Sequence, residues 1–262
     1  MFLATYNFAE VAVKQIDDII DSPESKLLIE NLNTEVKLMM KLKNPNLVTC
    51  YGVNFDENKI NIVMEYCAGG SLFDLIIRKN FELSNKQKLK ILYDLAAGIY
   101  HLHKRNPPII HRDIKSPYML LKEIINCSQC TINVKLSDYG LARVIETDAT
   151  RTSMSHVGTP SWTAPEIIRE EKYGLPVDVY AFGIVMWEVF ASKIPYSDKK
   201  LNPMQIILQV STKKLRPTLS ELPSDTPQDV ISLMTRCWDE EPNKRPKIDE
   251  VIEMISKLIS IY

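Results

Sequence analysis

The sequence predicts an α+β chain, a small β-rich part followed by a larger helical part. Three observations predict it. Residues 1–65 read as strand, helix, strand, strand. Gly69-Gly70-Ser71 breaks that run, and beyond it apolar residues recur mostly at helical spacing. With 262 residues, 45% of them apolar, the chain can bury a core in one large domain or two lobes. A β-rich part joined to a helical one suggests a cleft between them.

The elements follow in order. Phe2 to Gln15 contains AEVAVK, whose alternation and β-branched residues favour a strand. Ser22-Pro23-Glu24 reads as a helix start, with Ser at the cap and Pro in the first turn. Leu28, Leu32, Val36, Met39 and Met40 then recur at helical spacing to Leu42, and Asn44-Pro45-Asn46 ends the pattern. Strands are expected at LVTCYGV from Leu47 and INIVMEY from Ile60, with a polar turn between them. Ser71 is placed to cap a helix through Leu75 and Ile76. The stretch KLKILYDLAAGIYHLHKR is amphipathic, with Leu89, Leu92, Leu95, Ala96, Ile99 and Leu102 on one face. Loop signals dominate from Asn106 to Pro117 and from Asp138 to Pro165. Helices are expected at Val177 to Phe190, Met204 to Val210, Gln228 to Cys237 and Ile248 to Ile259.

Composition excludes several classes. Lys plus Arg total 32 against 33 Asp plus Glu, which argues against a nucleic-acid-coating surface. The longest apolar run, VDVYAFGIVMWEVF, carries Asp178 and Glu188 and falls short of the ~20 residues a membrane span needs. It reads as a helix buried on nearly all sides. Five scattered cysteines argue against a disulfide scaffold and favour a reducing, cytoplasmic setting. Cys127-x-x-Cys130 lacks a second pair at zinc spacing and reads as a loop carrying two thiols.

Four short motifs carry the chemistry: AVK at Ala12 to Lys14, HRDIK at His111 to Lys115, DYG at Asp138 to Gly140, and APE at Ala164 to Glu166. Each alone is weak; four in order, each in a suitable element, are strong. On these residues the chain resembles a protein kinase domain over essentially its whole length. DVYAFGIVMWEVF, KIPY and CWDEEPNKRP look like the tyrosine-kinase-like group of Ser/Thr kinases, which holds the Raf, mixed-lineage and Roco enzymes. The resemblance implies a bilobal protein-kinase-like fold, with the N-lobe at 1–67 and the C-lobe at 68–262. It also implies ATP and Mg²⁺ as cofactors and a protein Ser/Thr substrate, and leaves room for a regulatory protein partner.

Site residues carry over position by position. Lys14 would pair with the α and β phosphates and be fixed by Glu35, with Glu30 a rival on the same predicted helix. Asp113 would orient the attacking hydroxyl and accept its proton, and Lys115 would neutralise γ-phosphate charge. Asp138 would hold Mg²⁺, a hard cation that seeks carboxylate and phosphate oxygens. Tyr139 stands where Phe is usual. Met64, Glu65 and Cys67 resemble the hinge that binds adenine. Thr159, in GTPSWTAPE, would bond toward Asp113 and Lys115. Thr147, Thr150, Thr152, Ser153 and Ser155 are modification candidates, with Arg112 placed to receive a phosphate. Glu166 would pair with Arg245, and Asp178 is structural. His111 reads as a packing residue. The link from Leu121 to Val134, which carries the two cysteines, is longer than usual.

Two departures set activity against the resemblance. No glycine precedes Gly52, so the glycine-rich phosphate lid and the first strand are expected to be missing, leaving a sheet edge exposed. Tyr118 stands where the family carries a metal-binding Asn, and a phenol with a pKa near ~10 is a poor substitute. Two readings stay open: a divergent or weak Ser/Thr kinase, or a pseudokinase that keeps the fold as a binding, scaffolding or allosteric module.

Overall fold

The computed structural model describes residues 1–16, 36, 39–56, 59–127, 130–138, 143–144 and 160–262. The helix expected from Ser22 to Leu42, with Glu30 and Glu35 on it, lies almost wholly outside these residues.

The chain opens on an antiparallel sheet. Its strands are β1 (Phe2–Tyr6), β2 (Ala9–Ile16), β3 (Cys50–Asp56) and β4 (Lys59–Glu65), in spatial order β1-β2-β4-β3. The sequence reading gave one strand before the first helix; the structure has two. Asn7 and Phe8, both at positive φ (49° and 63°), make the turn between them. Two left-handed residues match the twist of a tight hairpin, a geometry usually signalled by glycine. β1 pairs only with β2 among the described strands, and Phe2, Leu3, Tyr6 and Phe8 are exposed. In β2, Val11 and Val13 are buried, and the two-residue period sends Lys14 to the opposite face. β4 sets this register by pairing Val13 with Val63 and Lys14 with Ile62.

The rest is helical around small ribbons. β5 (Gly70–Ser71), β7 (Met119–Leu121) and β8 (Val134–Leu136) form a three-stranded sheet, and β6 (Ile109–Ile110) pairs with β9 (Arg143–Val144). The expected helix near Leu75 is a single π-helical turn, Asp74–Arg78, whose start Ser71 caps by accepting from the Asp74 amide at 3.0 Å. The helices are α1 (Asn85–His103), α2 (Pro165–Ile168), α3 (Pro176–Ala191), α4 (Pro203–Lys213), α5 (Gln228–Cys237) and α6 (Ile248–Ile261). α1 begins with a reciprocal Ser84–Gln87 capping box. This is the bilobal α+β arrangement that the sequence predicts.

Segment 46–48 joins the two parts. Leu136 donates to the Asn46 carbonyl and Val48 to the Leu136 carbonyl, both at 2.9 Å. Leu47 is fully buried in the shared core. Lys135 of β8 adds an ion pair to Glu65 at 3.0 Å.

Cys127 and Cys130 are joined by a disulfide, not left as the two thiols expected. Their Cα atoms lie 5.5 Å apart, a spacing a disulfide accepts. The bond closes only a four-residue loop and is no scaffold. Cys50, Cys67 and Cys237 are buried thiols outside the disulfide.

Helix α3 is the organising element. Val177 to Ala191 are all buried, including the two carboxylates Asp178 and Glu188. Asp178 accepts from the His111 and Arg112 amides at 2.9 Å each and lies 2.8 Å from His103 Nε2. Burial alone would push this carboxyl up; the His103 bond and the His111 amide outweigh it and hold it low. Glu188 lies 2.5 Å from Ser116 Oγ and accepts from the Trp162 indole at 3.1 Å. Ten residues of helix rise about 15 Å, so the two carboxylates grip residues 111–116 from both ends.

Arg245 grips the starts of α2 and α3 together. Its guanidinium makes a two-pronged pair with Glu166, at 2.5 and 2.8 Å, and donates to the Pro176 carbonyl at 3.0 Å. It also lies 5.0 Å from the Tyr180 ring centroid. Breaking a buried pair strands the remaining charge, so Arg245→Met should lower the urea unfolding free energy by about 3–5 kcal/mol. Glu188 generates a pH prediction. Burial pushes its carboxyl up to about 8, against the pull of Ser116 and Trp162. A raised carboxyl keeps its proton in the fold longer than in the unfolded chain, so its contribution is complete below about 4.5 and fades as pH rises towards 8. Wild-type stability should therefore fall between pH 6 and pH 8 by on the order of 3 kcal/mol more than that of Glu188→Gln, read by denaturant titration at each pH.

Candidate active site

The loop from His111 to Tyr118 is held in a shape its residues would not choose alone. Arg112 has φ 70° and Asp138, facing the loop, has φ 60°. Non-glycine residues in this region cost on the order of 1–3 kcal/mol each and persist only where neighbours fix them. The Asp178 carboxylate fixes Arg112 through its amide, and Tyr173 Oη accepts from the Arg112 guanidinium at 3.2 Å. His111 is fully buried, with Nε2 3.1 Å from the Ser137 carbonyl and Nδ1 accepting from the Asp113 amide at 3.3 Å. Burial pushes the imidazole down, so it stays neutral and serves as packing.

Ile114, fully buried, turns Asp113 and Lys115 to the same side. Lys115 Nζ donates to Asp113 Oδ2 at 2.8 Å. A short 3₁₀ turn, Ser116–Tyr118, follows, with Pro117 presetting its first residues and the Tyr118 amide donating to the Lys115 carbonyl at 3.0 Å. That turn swings the Tyr118 ring beneath Lys115, whose ammonium lies 4.0 Å from the ring centroid. A partly desolvated ammonium on a ring gains roughly 1–2 kcal/mol.

Tyr118 also reaches Asp138. Its phenol lies within reach of the Asp138 charge. The Ser137 amide and hydroxyl both donate to the Tyr118 carbonyl at 2.9 Å, which pins the loop beside Asp138. Burial pushes the phenol well above its ordinary value, and the charges of Asp138 and Asp113 push the same way. The residue is therefore a neutral donor at neutral pH.

Lys14 comes across from β2. Its Nζ lies 3.4 Å from Asp138 Oδ1, a long contact with the two side chains 39% and 25% exposed. Exposed pairs of this kind add little stability, so its meaning is positional: Lys14 faces Asp138 across the gap between sheet and loop. Glu35, its expected partner, lies outside the described residues. So do Tyr139, Thr147, Thr150, Thr152, Ser153, Ser155 and Thr159.

Met64, Glu65 and Cys67 line the connection out of β4. Met64 and Cys67 are buried. The Glu65 amide donates to the Thr49 carbonyl at 2.9 Å, and its carboxylate takes Lys135 and the Thr49 amide. Burial, with the Glu65 charge, pushes the Cys67 thiol up to about 11, so it stays protonated.

The donor set limits what a metal could find here. Asp138 offers one carboxylate, which suits a hard divalent cation that takes its other ligands from phosphate and water. The next carboxylate, Asp113, is engaged by Lys115, and the position beyond is the protonated Tyr118. Among the described residues no group of three or more His, Cys, Asp or Glu side chains could hold a metal ion. The residues fit one such cation and do not fit a second.

Sequence reasoning missed three supports: His103 behind Asp178, and the Ser116–Glu188–Trp162 link. The signal was present as two carboxylates inside an otherwise apolar helix. Their partners lie 75 to 26 positions away along the chain and could not be read from spacing.

Comparison with known proteins agrees with this geometry. The family model described as protein tyrosine and serine/threonine kinase matches residues 3–255. A probable serine/threonine-protein kinase of Dictyostelium discoideum is 39% identical over 254 residues, covering 95% of this chain and 18% of its own length. A second one from that organism, drkD, is 34% identical over the whole chain and 19% of its own length. Serine/threonine-protein kinase CTR1 of Arabidopsis thaliana is 35% identical over 227 residues, covering 86% of this chain and 26% of its own. The chain thus spans about a fifth to a quarter of the length of these relatives. No helix among the described residues is long and apolar enough to cross a membrane. The match of the family model across nearly the whole chain, together with the placement of Lys14, Asp113, Lys115 and Asp138, shows that the chain belongs to the protein tyrosine and serine/threonine kinase family.

Proposed function

We propose that the chain binds ATP between its β-rich part, residues 1–67, and its helical part, residues 68–262, and transfers the γ-phosphoryl group to a protein Ser or Thr hydroxyl. The observation that carries this reading is the convergence of Lys14, Asp138, Asp113 and Lys115 from separate elements. Each has a task that its position suits. Lys14 faces the α and β phosphates and neutralises their charge. Asp113, oriented by its own amide and by Lys115, accepts hydrogen-bonding from the attacking hydroxyl and takes its proton as the new O–P bond forms. The bond to the β–γ bridging oxygen breaks, and ADP leaves with that electron pair. Lys115 offsets charge on the moving phosphoryl group. Asp138 would hold a divalent cation, Mg²⁺ in this reading, which screens the phosphates when bound. The backbone of Glu65 to Cys67 would meet the adenine, with Met64 behind it.

The names of the relatives support serine and threonine as acceptors. A cytoplasmic setting fits the need for ATP, and a regulatory protein partner fits a chain that spans only part of its relatives. Arg112, whose guanidinium bonds Tyr173, is the candidate receiver for a phosphate on Thr150, Thr152, Ser153 or Ser155.

One observation favours a second reading, a pseudokinase that binds nucleotide or partner without transfer. Tyr118, whose phenol feels the Asp138 charge, stands where the family carries a metal-binding Asn. The two readings separate in a single assay of phosphate transfer from radiolabelled ATP to the chain and to a generic Ser/Thr protein substrate. Transfer should be measurable and should fall at least about a hundredfold in Asp113→Asn, which keeps the shape but loses the base. Lys14→Met should weaken nucleotide binding as well as transfer. If wild type and Asp113→Asn give the same background signal while ATP still binds, the pseudokinase reading stands.

A further inference from the structure

We propose that this centre works with a single divalent cation, and that the Lys115 ammonium, seated on the Tyr118 ring, supplies the second positive charge. The inference rests on the nucleotide-binding reading above and deepens it.

Three observations carry it. Tyr118 leaves no second ligand set, since its ring is turned to Lys115 where an amide oxygen would be needed and no cluster of three metal-ligating side chains exists among the described residues. The ring is instead a seat for an ammonium, with Lys115 Nζ 4.0 Å above its centroid and 2.8 Å from Asp113 Oδ2. The seat is built rather than incidental. Ser137 fixes the Tyr118 carbonyl with two bonds of 2.9 Å, and the Tyr118 amide closes onto Lys115 itself at 3.0 Å. An ammonium held at its ring side and its carboxylate side has little freedom to leave. It stands beside Asp113, where the charge of a transferring group would gather. A lysine fixed in this way does part of what a second bound cation would do, namely place positive charge without reorganisation.

The ring also explains why a bulky residue is tolerated. The phenol fills its place with its face to Lys115 and its carbonyl held by Ser137, next to Asp138 in the chain. It is a positioning residue, acting through Lys115 and Asp138.

The test is nucleotide affinity as a function of free Mg²⁺, read by the fluorescence of an N-methylanthraniloyl-ATP probe on the intact chain. Once the probe itself is saturated with Mg²⁺, wild-type affinity should change less than about twofold as Mg²⁺ rises further, because no second ion joins. Tyr118→Asn should gain a second rise in affinity of about fivefold or more over the same range, the linkage expected when a second ion binds with the nucleotide. Tyr118→Phe keeps the ring under Lys115 and should stay single-stepped. A second step in wild type, or none in Tyr118→Asn, would overturn the proposal while leaving nucleotide binding intact. A probe that fails to bind any of the three proteins at any Mg²⁺ level would overturn the nucleotide reading itself, and this inference with it.

Discussion

Two carboxylates buried in one apolar helix govern the rest of this structure. Asp178 and Glu188 have no water around them, so each must be satisfied by protein donors. The donors they recruit are the two ends of the same loop. One end gives backbone amides from His111 and Arg112, and the other gives the Ser116 hydroxyl. The loop between has little choice of path. Arg112 accepts a left-handed backbone, Ile114 goes into the core, and Asp113 and Lys115 are left paired with each other, both largely buried. The helix is thus a jig for the loop: Asp178 keeps its charge on the donors at one end, and Glu188, its carboxyl pushed up by burial, bonds the other. Trp162, on the second oxygen of Glu188, extends the same jig to the segment ahead of α2.

Much of this was legible in the sequence, for a definite reason. Motifs such as AVK, HRDIK and DYG encode function in residues a few positions apart, and local spacing survives in the linear text. Helices α3, α5 and α6 were legible within a few residues because their apolar pattern is long. What stayed hidden was of two kinds. Short elements without a compositional marker were missed, such as the Asn7-Phe8 turn, which reaches positive φ without glycine, and the two-residue strands β6 and β9. Pairings over long separations were also missed, such as His103 with Asp178 and Lys135 with Glu65. No residue alone announces its partner. The Cys127–Cys130 bond belongs to a third kind: the spacing was seen, and thiol or disulfide depended on whether the backbone brought the two Cα atoms close enough.

Tyr118 illustrates how a substitution can look like damage in a sequence and like structure in three dimensions. Compared with an amide, a phenol at this position is a poor ligand for a cation. Compared with its actual surroundings, it is an aromatic face offered to an ammonium, with its phenol near the Asp138 charge. Both neighbours are residues that the proposed phosphoryl transfer would use. The loop closes on itself through this ring, from Lys115 through Tyr118 to Asp138, and the two Ser137 bonds hold the closure in place.

The join between the sheet and the helical body has a mechanical consequence. Asn46, Val48, Lys135 and Glu65 fasten the two along one side with backbone bonds and a buried ion pair. Along the other side, the contact between Lys14 and Asp138 is long and open to water. A body tethered along one margin rotates about that margin, and its far side moves most. Among the described residues the fastened margin therefore runs beside β8, and the loosely held margin is the one where Lys14 faces Asp138. The same strand that serves as pivot leads directly into Ser137 and Asp138, so the reference frame for the motion and the reference frame for the chemistry are one piece of backbone.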